Sequence, residues 1–206
     1  MTESLEFEWV LRPDSNPALE HYVLHFHGVA QTWDDDAGDE VLVGRIAGHR
    51  VDLALARHDG IGLDELLDSV SHAIAEFKIT AFADNNCYVP LTRAKSSDPQ
   101  QHCECLVYID EVVVEPAHRG KGVGSELFRR MSESIDLENC VIGLKAFPIL
   151  EQPGAIRGPE EIERVKQFYT RLGFHPVGED FMIKDASLCG SKKKRTALRN
   201  REGADG

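Results

Sequence analysis

The chain has 206 residues, of which 42% are apolar, and a formal net charge of −12. This length can bury one good core, so we predict a single domain over residues 1–184 and a basic, disordered tail over residues 185–206. The acidic balance argues against nucleic acid as a partner, and no apolar run is long enough to span a membrane. Five scattered cysteines and an acidic start without signal-peptide pattern predict a reducing, cytoplasmic location rather than a disulfide framework.

The first 60 residues are predicted to form the β-rich part of a sheet. Strands are expected over residues 5–11 and 21–29, followed by a hairpin over residues 41–46 and 51–56 that turns at Gly48. Three histidines share strand parity, and we interpret them as the polar side of an edge strand rather than as metal ligands: His21, His25 and His27.

A helix is predicted over residues 62–78, where leucines and other apolar residues recur at spacings of three and four. Residues 85–101 are too polar for a core element. His102, Cys103 and Cys105 lack the second pair of ligands that a zinc site needs, and Cys140 is expected to be a small core residue at the start of a strand over residues 140–147.

Residues 106–130 combine a strand, a glycine-rich turn and an amphipathic helix. The N–H groups at a helix start carry partial positive charge, and glycines let a phosphate approach the backbone closely. The spacing of the glycines excludes a P-loop and the dinucleotide-binding fingerprint. The segment therefore predicts a strand–turn–helix that cradles a phosphate group.

A second amphipathic helix is predicted from Pro159 to a C-terminal cap at Gly173, with a last strand near residues 181–183. The order of the glycine turn and the later Phe-Tyr-Thr-Arg-Leu-Gly-Phe segment resembles the GNAT superfamily of acetyl-CoA-dependent N-acyltransferases. The resemblance is strongest over residues 106–173. It implies an α+β fold with a mixed, mostly antiparallel central sheet that is flanked by helices and splayed at the acyl-CoA strand. The β-rich start departs from the family's usual plan, which places two helices between the first two strands.

The resemblance also implies a set of site residues. Acetyl-CoA would be the cosubstrate, and its pantetheine arm would pair in the splay with the backbone of Val112, Val113 and Val114. Tyr169 would protonate the departing thiolate. The pyrophosphate would lie on the backbone of the turn: Arg119, Gly120, Lys121, Gly122, Val123 and Gly124.

Asp110 and Glu111 are the candidate catalytic bases, since a carboxylate within an apolar strand costs free energy unless it is paired or used. Strand alternation points them to opposite faces, so one would face the cleft, and a β-bulge would change which one does. Deprotonation through a water molecule stays open. The loop over residues 148–158 is expected to border the acceptor pocket.

The predicted function is direct transfer of an acetyl group from acetyl-CoA to a primary amine, on either a small molecule or a protein. The alternative is a catalytically silent coenzyme A-binding module with a regulatory or interaction role. The presence of both the glycine turn and Tyr169 favours the enzyme. Whether the protein forms a homodimer is left open.

Overall fold

The computed structural model describes residues 5–34, 38–82, 90, 103–148 and 158–186. Within these ranges seven strands form one sheet. The strands are β1 (Leu5–Pro13), β2 (Val23–Asp34), β3 (Asp39–Asp52), β4 (Cys105–Val114), β5 (Cys140–Lys145), β6 (His175–Val177) and β7 (Phe181–Asp185). Their spatial order is β1-β2-β3-β4-β5-β7-β6, in which β4 and β5 are parallel and the other neighbouring pairs are antiparallel.

Helices cover both faces of the sheet. They are α1 (Leu53–His58), α2 (Leu63–Val70), α3 (His72–Ala81), α4 (Val123–Ser134) and α5 (Pro159–Arg171). Leu106 and Tyr108 of β4 pack in one core with α1, α2 and α3, whereas Val107 and Ile109 pack in a second core with α4 and α5. The predicted α+β class, a mostly antiparallel sheet flanked by helices, is confirmed.

The three early helices lie between β3 and β4, whereas β1 and β2 are joined by turns. The β-rich start expected from the sequence is therefore present. β2, however, lies between β1 and β3 rather than at the edge of the sheet. Of the predicted polar loop over residues 85–101, only residue 90 is described, and residues 149–157 and 187–206 also lie outside the described ranges. The domain limit and the tail thus stay predictions.

The predicted hairpin over residues 41–56 is wrong, because β3 is one continuous strand of 14 residues. Gly48 lies inside this strand, where a Cβ atom would collide with the carbonyl oxygen of Tyr108 and the ring of Phe26. The glycine therefore serves a close backbone approach and not a turn. Residues 53–58 form α1, whose first turn is capped by the side chain of Asp52.

The predicted helix over residues 62–78 is divided into α2 and α3 at Ser71. This residue has extended backbone angles, and its hydroxyl oxygen accepts a hydrogen bond from the N–H of Ile74. Serine is a favoured N-cap, so it starts a new helix here rather than continuing the first. Buried Lys78 of α3 forms an ion pair with Asp64 of α2, which links the two helices.

Cys105 and Cys140 occupy partner positions at the starts of β4 and β5 and are joined by a disulfide, with their Cα atoms 4.5 Å apart. Cys140 is buried, as predicted, but it is bonded rather than a separate core thiol. Nothing in the spacing of the cysteines indicates this pair, because only the parallel register of the two strands brings them together.

β4 keeps one neighbour along its length and loses the other halfway. It pairs with β3 from Cys105 to Val114, but with β5 only from Cys105 to Ile109. β5 continues to pair with β7 as far as Lys145. Within the described ranges, no strand pairs with the β5-facing edge of β4 over residues 110–114, and we call this open part of the edge the splay.

Candidate functional site

A β-bulge marks the point where the splay begins. Ala47 of β3 is opposite Glu111, whereas the next residue, Gly48, is opposite Ile109, so Asp110 has no partner across the ladder. The extra residue changes the facing of the strand, and Ile109 and Val112 both pack on the α4 side.

The bulge corrects the expectation that Asp110 and Glu111 point to opposite faces. Glu111 binds Arg45 and Asp110 binds His49, and these two β3 residues share one strand parity. Both carboxylates therefore lie on the face of the sheet opposite α4.

The two carboxylates have different partners. The guanidinium of Arg45 donates to Oε1 of Glu111 at 2.9 Å and to Oε2 at 3.4 Å. This hydrogen bond raises the pKa of Arg45 above its usual value. Asp110 instead has its Oδ2 atom 2.8 Å from Nε2 of His49. One carboxylate is thus held by a permanent cation and the other by an imidazole.

His49 belongs to a chain of four polar side chains that the sequence analysis missed. Its ring contacts the ring of His25 edge-on, with the two ring centroids 4.5 Å apart. Nε2 of His25 in turn lies 2.7 Å from Oδ2 of Asp14. The two histidines are direct cross-strand partners in β2 and β3. The shared strand parity of His21, His25 and His27 was a sequence signal for this face of the sheet. The incorrectly predicted hairpin placed His49 at a turn, however, and so its pairing with His25 was not foreseen. We call Asp14, His25, His49 and Asp110 the His–Asp chain.

The glycine turn follows the open end of β4. Gly120 and Gly122 both have positive φ values, 75° and 87°, and a Cβ atom at either would meet nothing within 4 Å. The positive φ values favour glycine, and the open space leaves the backbone of the turn accessible. α4 starts directly after Gly122, and no side chain caps its first turn. Arg119 donates from Nε to the carbonyl oxygen of Val114 at 3.0 Å and so ties the turn to the strand.

The three valines of the splay, Val112, Val113 and Val114, differ in whether their backbone N–H and C=O groups point into it. The N–H of Glu115 donates to the carbonyl oxygen of Val43, so strand geometry directs the backbone of Val113 toward β3 as well. By the same alternation, Val112 and Val114 direct their N–H and C=O groups toward the splay. The side chains of these two valines pack in the core that contains Val123 and α4.

Tyr169 is buried on α5, within a cluster of aromatic rings formed by Phe128, Phe168 and Phe174. Burial raises the pKa of Tyr169 above its usual value. A Cβ atom at Gly124 would lie 3.0 Å from the ring of Phe168, so α5 packs directly against the first turn of α4. The structure thus places the tyrosine helix against the start of α4, directly after the glycine turn.

Metal ligands and membrane spans were also considered. The described residues contain no group of three or more His, Cys, Asp or Glu side chains suited to hold a metal ion. None of the helices in the described ranges is long and apolar enough to cross a membrane.

Comparison with protein families identifies the domain that carries this arrangement. Residues 92–176 match the family model of the acetyltransferase (GNAT) domain. This segment is similar to GNAT domains. The matched residues include the bulge, the splay, the glycine turn and Tyr169. GNAT domains use acetyl-CoA as their cosubstrate, so both the predicted superfamily and the predicted cosubstrate are confirmed.

Solved structures similar to this chain include two of Arabidopsis thaliana NAA60. The complex with acetyl-CoA is 12% identical with a TM-score of 0.39, covering 87% of this chain and 98% of that one. The complex with a bisubstrate analogue is 14% identical with a TM-score of 0.38, covering 86% and 99%. The KacTA–DNA complex is 9% identical with a TM-score of 0.38, covering 86% and 93%. Similarities this weak carry no information on the acceptor. No curated protein matches the chain significantly.

Proposed function

We propose that this protein is an acetyl-CoA-dependent N-acetyltransferase that moves an acetyl group directly to a primary amine. The observation that carries the proposal is the open edge of β4 over residues 110–114. This edge runs from the glycine turn at one end to the two carboxylates at the other. A coenzyme bound along this edge would have its phosphates at the glycine turn and its thioester beside the two carboxylates.

The coenzyme would be held mainly by backbone groups. Its pyrophosphate would bind the N–H groups of residues 119–124, where the uncapped start of α4 supplies partial positive charge. Its pantetheine arm would add to β4 as an extra strand, pairing with Val112 and Val114. An N–H group in this region would stabilise the negative charge that develops on the thioester oxygen, an effect worth about 3 kcal/mol for one donor.

The transfer itself needs three proton movements. The ammonium of the acceptor loses a proton to Asp110 or Glu111, directly or through water, and its nitrogen then attacks the thioester carbonyl. As the C–N bond forms, the C–S bond breaks, and the thiolate takes a proton from the hydroxyl of Tyr169. The second proton that the nitrogen loses, as it becomes an amide, returns through water to the tyrosinate. Burial keeps this hydroxyl protonated throughout the neutral range, because it raises the pKa of Tyr169.

The test measures release of free thiol from acetyl-CoA against a panel of small amines and peptides with free amino groups. Tyr169→Phe keeps the buried ring and removes the proton, so turnover should fall roughly 10²-fold while coenzyme affinity stays the same. Tyr108→Phe is the matched control, because Tyr108 is also buried but lies in the core with α3. It should leave turnover unchanged.

Two outcomes would contradict the proposal. Full turnover by the Tyr169→Phe variant would remove the tyrosine from the mechanism. A wild-type chain that binds acetyl-CoA but transfers its acetyl group to no amine would instead be a silent coenzyme A-binding module.

A further inference from the structure

The two carboxylates beside the splay are not equivalent as proton acceptors. Glu111 receives two hydrogen bonds from Arg45, a group that stays charged at every working pH. This charge-assisted pair occupies both oxygens of Glu111, so an acceptor amine would have to compete with Arg45 for them. Among the described residues, Asp110 is bound through Oδ2 by the imidazole of His49, which leaves Oδ1 for the proton of the amine.

The contact with Asp110 bears on how His49 carries its hydrogen. An ionised carboxylate only accepts hydrogen bonds, so the 2.8 Å distance between Nε2 of His49 and Oδ2 of Asp110 favours a hydrogen on Nε2. The other ring nitrogen, Nδ1, is buried and has no hydrogen-bond partner among the described residues.

The second histidine is held in the same manner. His25 is bound to Asp14, whose pKa is lowered by the backbone N–H of Asn16 and, further, by the His25 ring. The two imidazoles are only 4.5 Å apart, and two charged rings at that distance would repel each other. The His–Asp chain therefore extends from Asp110, at the bulge, across β3 and β2 to Asp14 after the end of β1.

We propose that Asp110, and not Glu111, accepts the proton of the acceptor amine, and that His49 is a positioning residue that holds Asp110 for this step. The inference rests on the proposed function. The proton leaves the ammonium nitrogen for the carboxylate of Asp110, the Nε2–H of His49 keeps that carboxylate aimed, and the neutral nitrogen attacks the thioester. Tyr169 supplies the separate proton that the thiolate takes.

Other titratable or charged groups lie on the same face of the sheet as Asp110, and they define the controls. One of them is Tyr108, whose pKa is raised by burial and, to a smaller extent, by the charge of Asp110. His27 lies on the same side of β2 as His25 but outside the His–Asp chain. Further charged groups on this face include Glu6, Glu8 and Arg12 of β1, Arg45 of β3, Glu111 of β4, Lys145 of β5 and Glu76 of α3.

The kinetic test compares two isosteric substitutions. Asp110→Asn should lower kcat by roughly 10²-fold or more, the usual effect of losing a general base, without weakening acetyl-CoA binding. Glu111→Gln should change kcat by less than about threefold, since it removes only a partly exposed ion pair. A larger loss in Glu111→Gln than in Asp110→Asn overturns the assignment.

The role of His49 is tested by rescue. His49→Ala should lower kcat by about tenfold or more through misplacement of Asp110, and His49→Gln, which offers an N–H near the position of Nε2, should restore most of it. His27→Gln, outside the His–Asp chain, is the matched control and should leave kcat unchanged. Equal loss in the Ala and Gln variants overturns the positioning role.

A measurement independent of turnover uses nitrogen NMR of the imidazoles in the wild-type chain. His49 should show the Nε2–H tautomer, which Asp110→Asn perturbs and Glu111→Gln does not. The Nδ1–H tautomer overturns the inference. A wild-type chain that transfers to no amine overturns the proposed function together with this role, whereas an active chain whose Glu111 carries the base activity overturns this role alone.

Discussion

The two halves of β4 show how one strand serves both a core and a site. From Cys105 to Ile109 the strand lies between β3 and β5, and these five residues are buried. From residue 110 to residue 114 its one partner among the described strands is β3, and its side chains are exposed or partly exposed. Asp110, the bulged residue, separates the halves.

The difference shows that a site can be built by removing one neighbour from a strand. β3 keeps the open half in register, so its backbone groups stay fixed although β5 has left. Backbone N–H and C=O groups need hydrogen-bond partners, and a ligand that enters the splay can supply them. The buried half contributes the rigidity, and the open half contributes the binding groups.

The largest difference between the two halves of β4 is expected in the stability lost when one side chain is truncated in each half. Tyr108→Ala removes a ring from the buried core and should lower the free energy of unfolding by about 3–5 kcal/mol. Val113→Ala, in the open half, should cost about 1 kcal/mol or less because its side chain is partly exposed. Denaturant unfolding of both variants measures the difference. Equal losses would show that the open half is as much a part of the core as the buried half.

A smaller effect is expected at the glycine turn beyond the open half. Gly122→Asn should keep the backbone, because asparagine tolerates positive φ, while its side chain fills the space outside the turn. We expect acetyl-CoA affinity to fall about tenfold, or ~1.4 kcal/mol. Calorimetry measures this loss.

The matched control for the turn is Gly60→Asn. Gly60 also has positive φ and open space around it, but it lies just after α1. Its substitution should leave coenzyme binding unchanged. Equal weakening in the two variants would remove the glycine turn from the binding site.

The smallest effect concerns Asp14, at the far end of the His–Asp chain from the bulge. Its folded-state pKa is lowered, so it stabilises the fold above the unfolded-state pKa of about 3.9, and this contribution is lost as pH falls below that value. Asp14→Asn should cost less than about 1 kcal/mol at neutral pH and flatten the acidic part of the stability curve.

The measurement for Asp14 is chemical denaturation between about pH 2 and 7, a range that spans the unfolded-state pKa. An unchanged pH dependence in Asp14→Asn would show that this end of the His–Asp chain does not stabilise the fold.

Local signals in the sequence determined the parts of the site that depend on neighbours along the chain. Gly120 and Gly122 adopt the positive φ values that only their lack of a side chain makes easy. The periodic face of α5 and the cap at Gly173, with φ of 87°, likewise follow from spacing and residue type. The strand–turn–helix and the tyrosine helix were therefore predictable, and so was the family.

Only the tertiary structure decided which residues meet from distant parts of the chain. The bulge at Asp110 depends on the register with β3, and so does the contact between Asp110 and His49. The same dependence explains why the pairing of His25 with His49 was missed. Register is set by contacts between strands far apart in sequence, and a shift of one residue reverses every side chain. No local pattern contains that information.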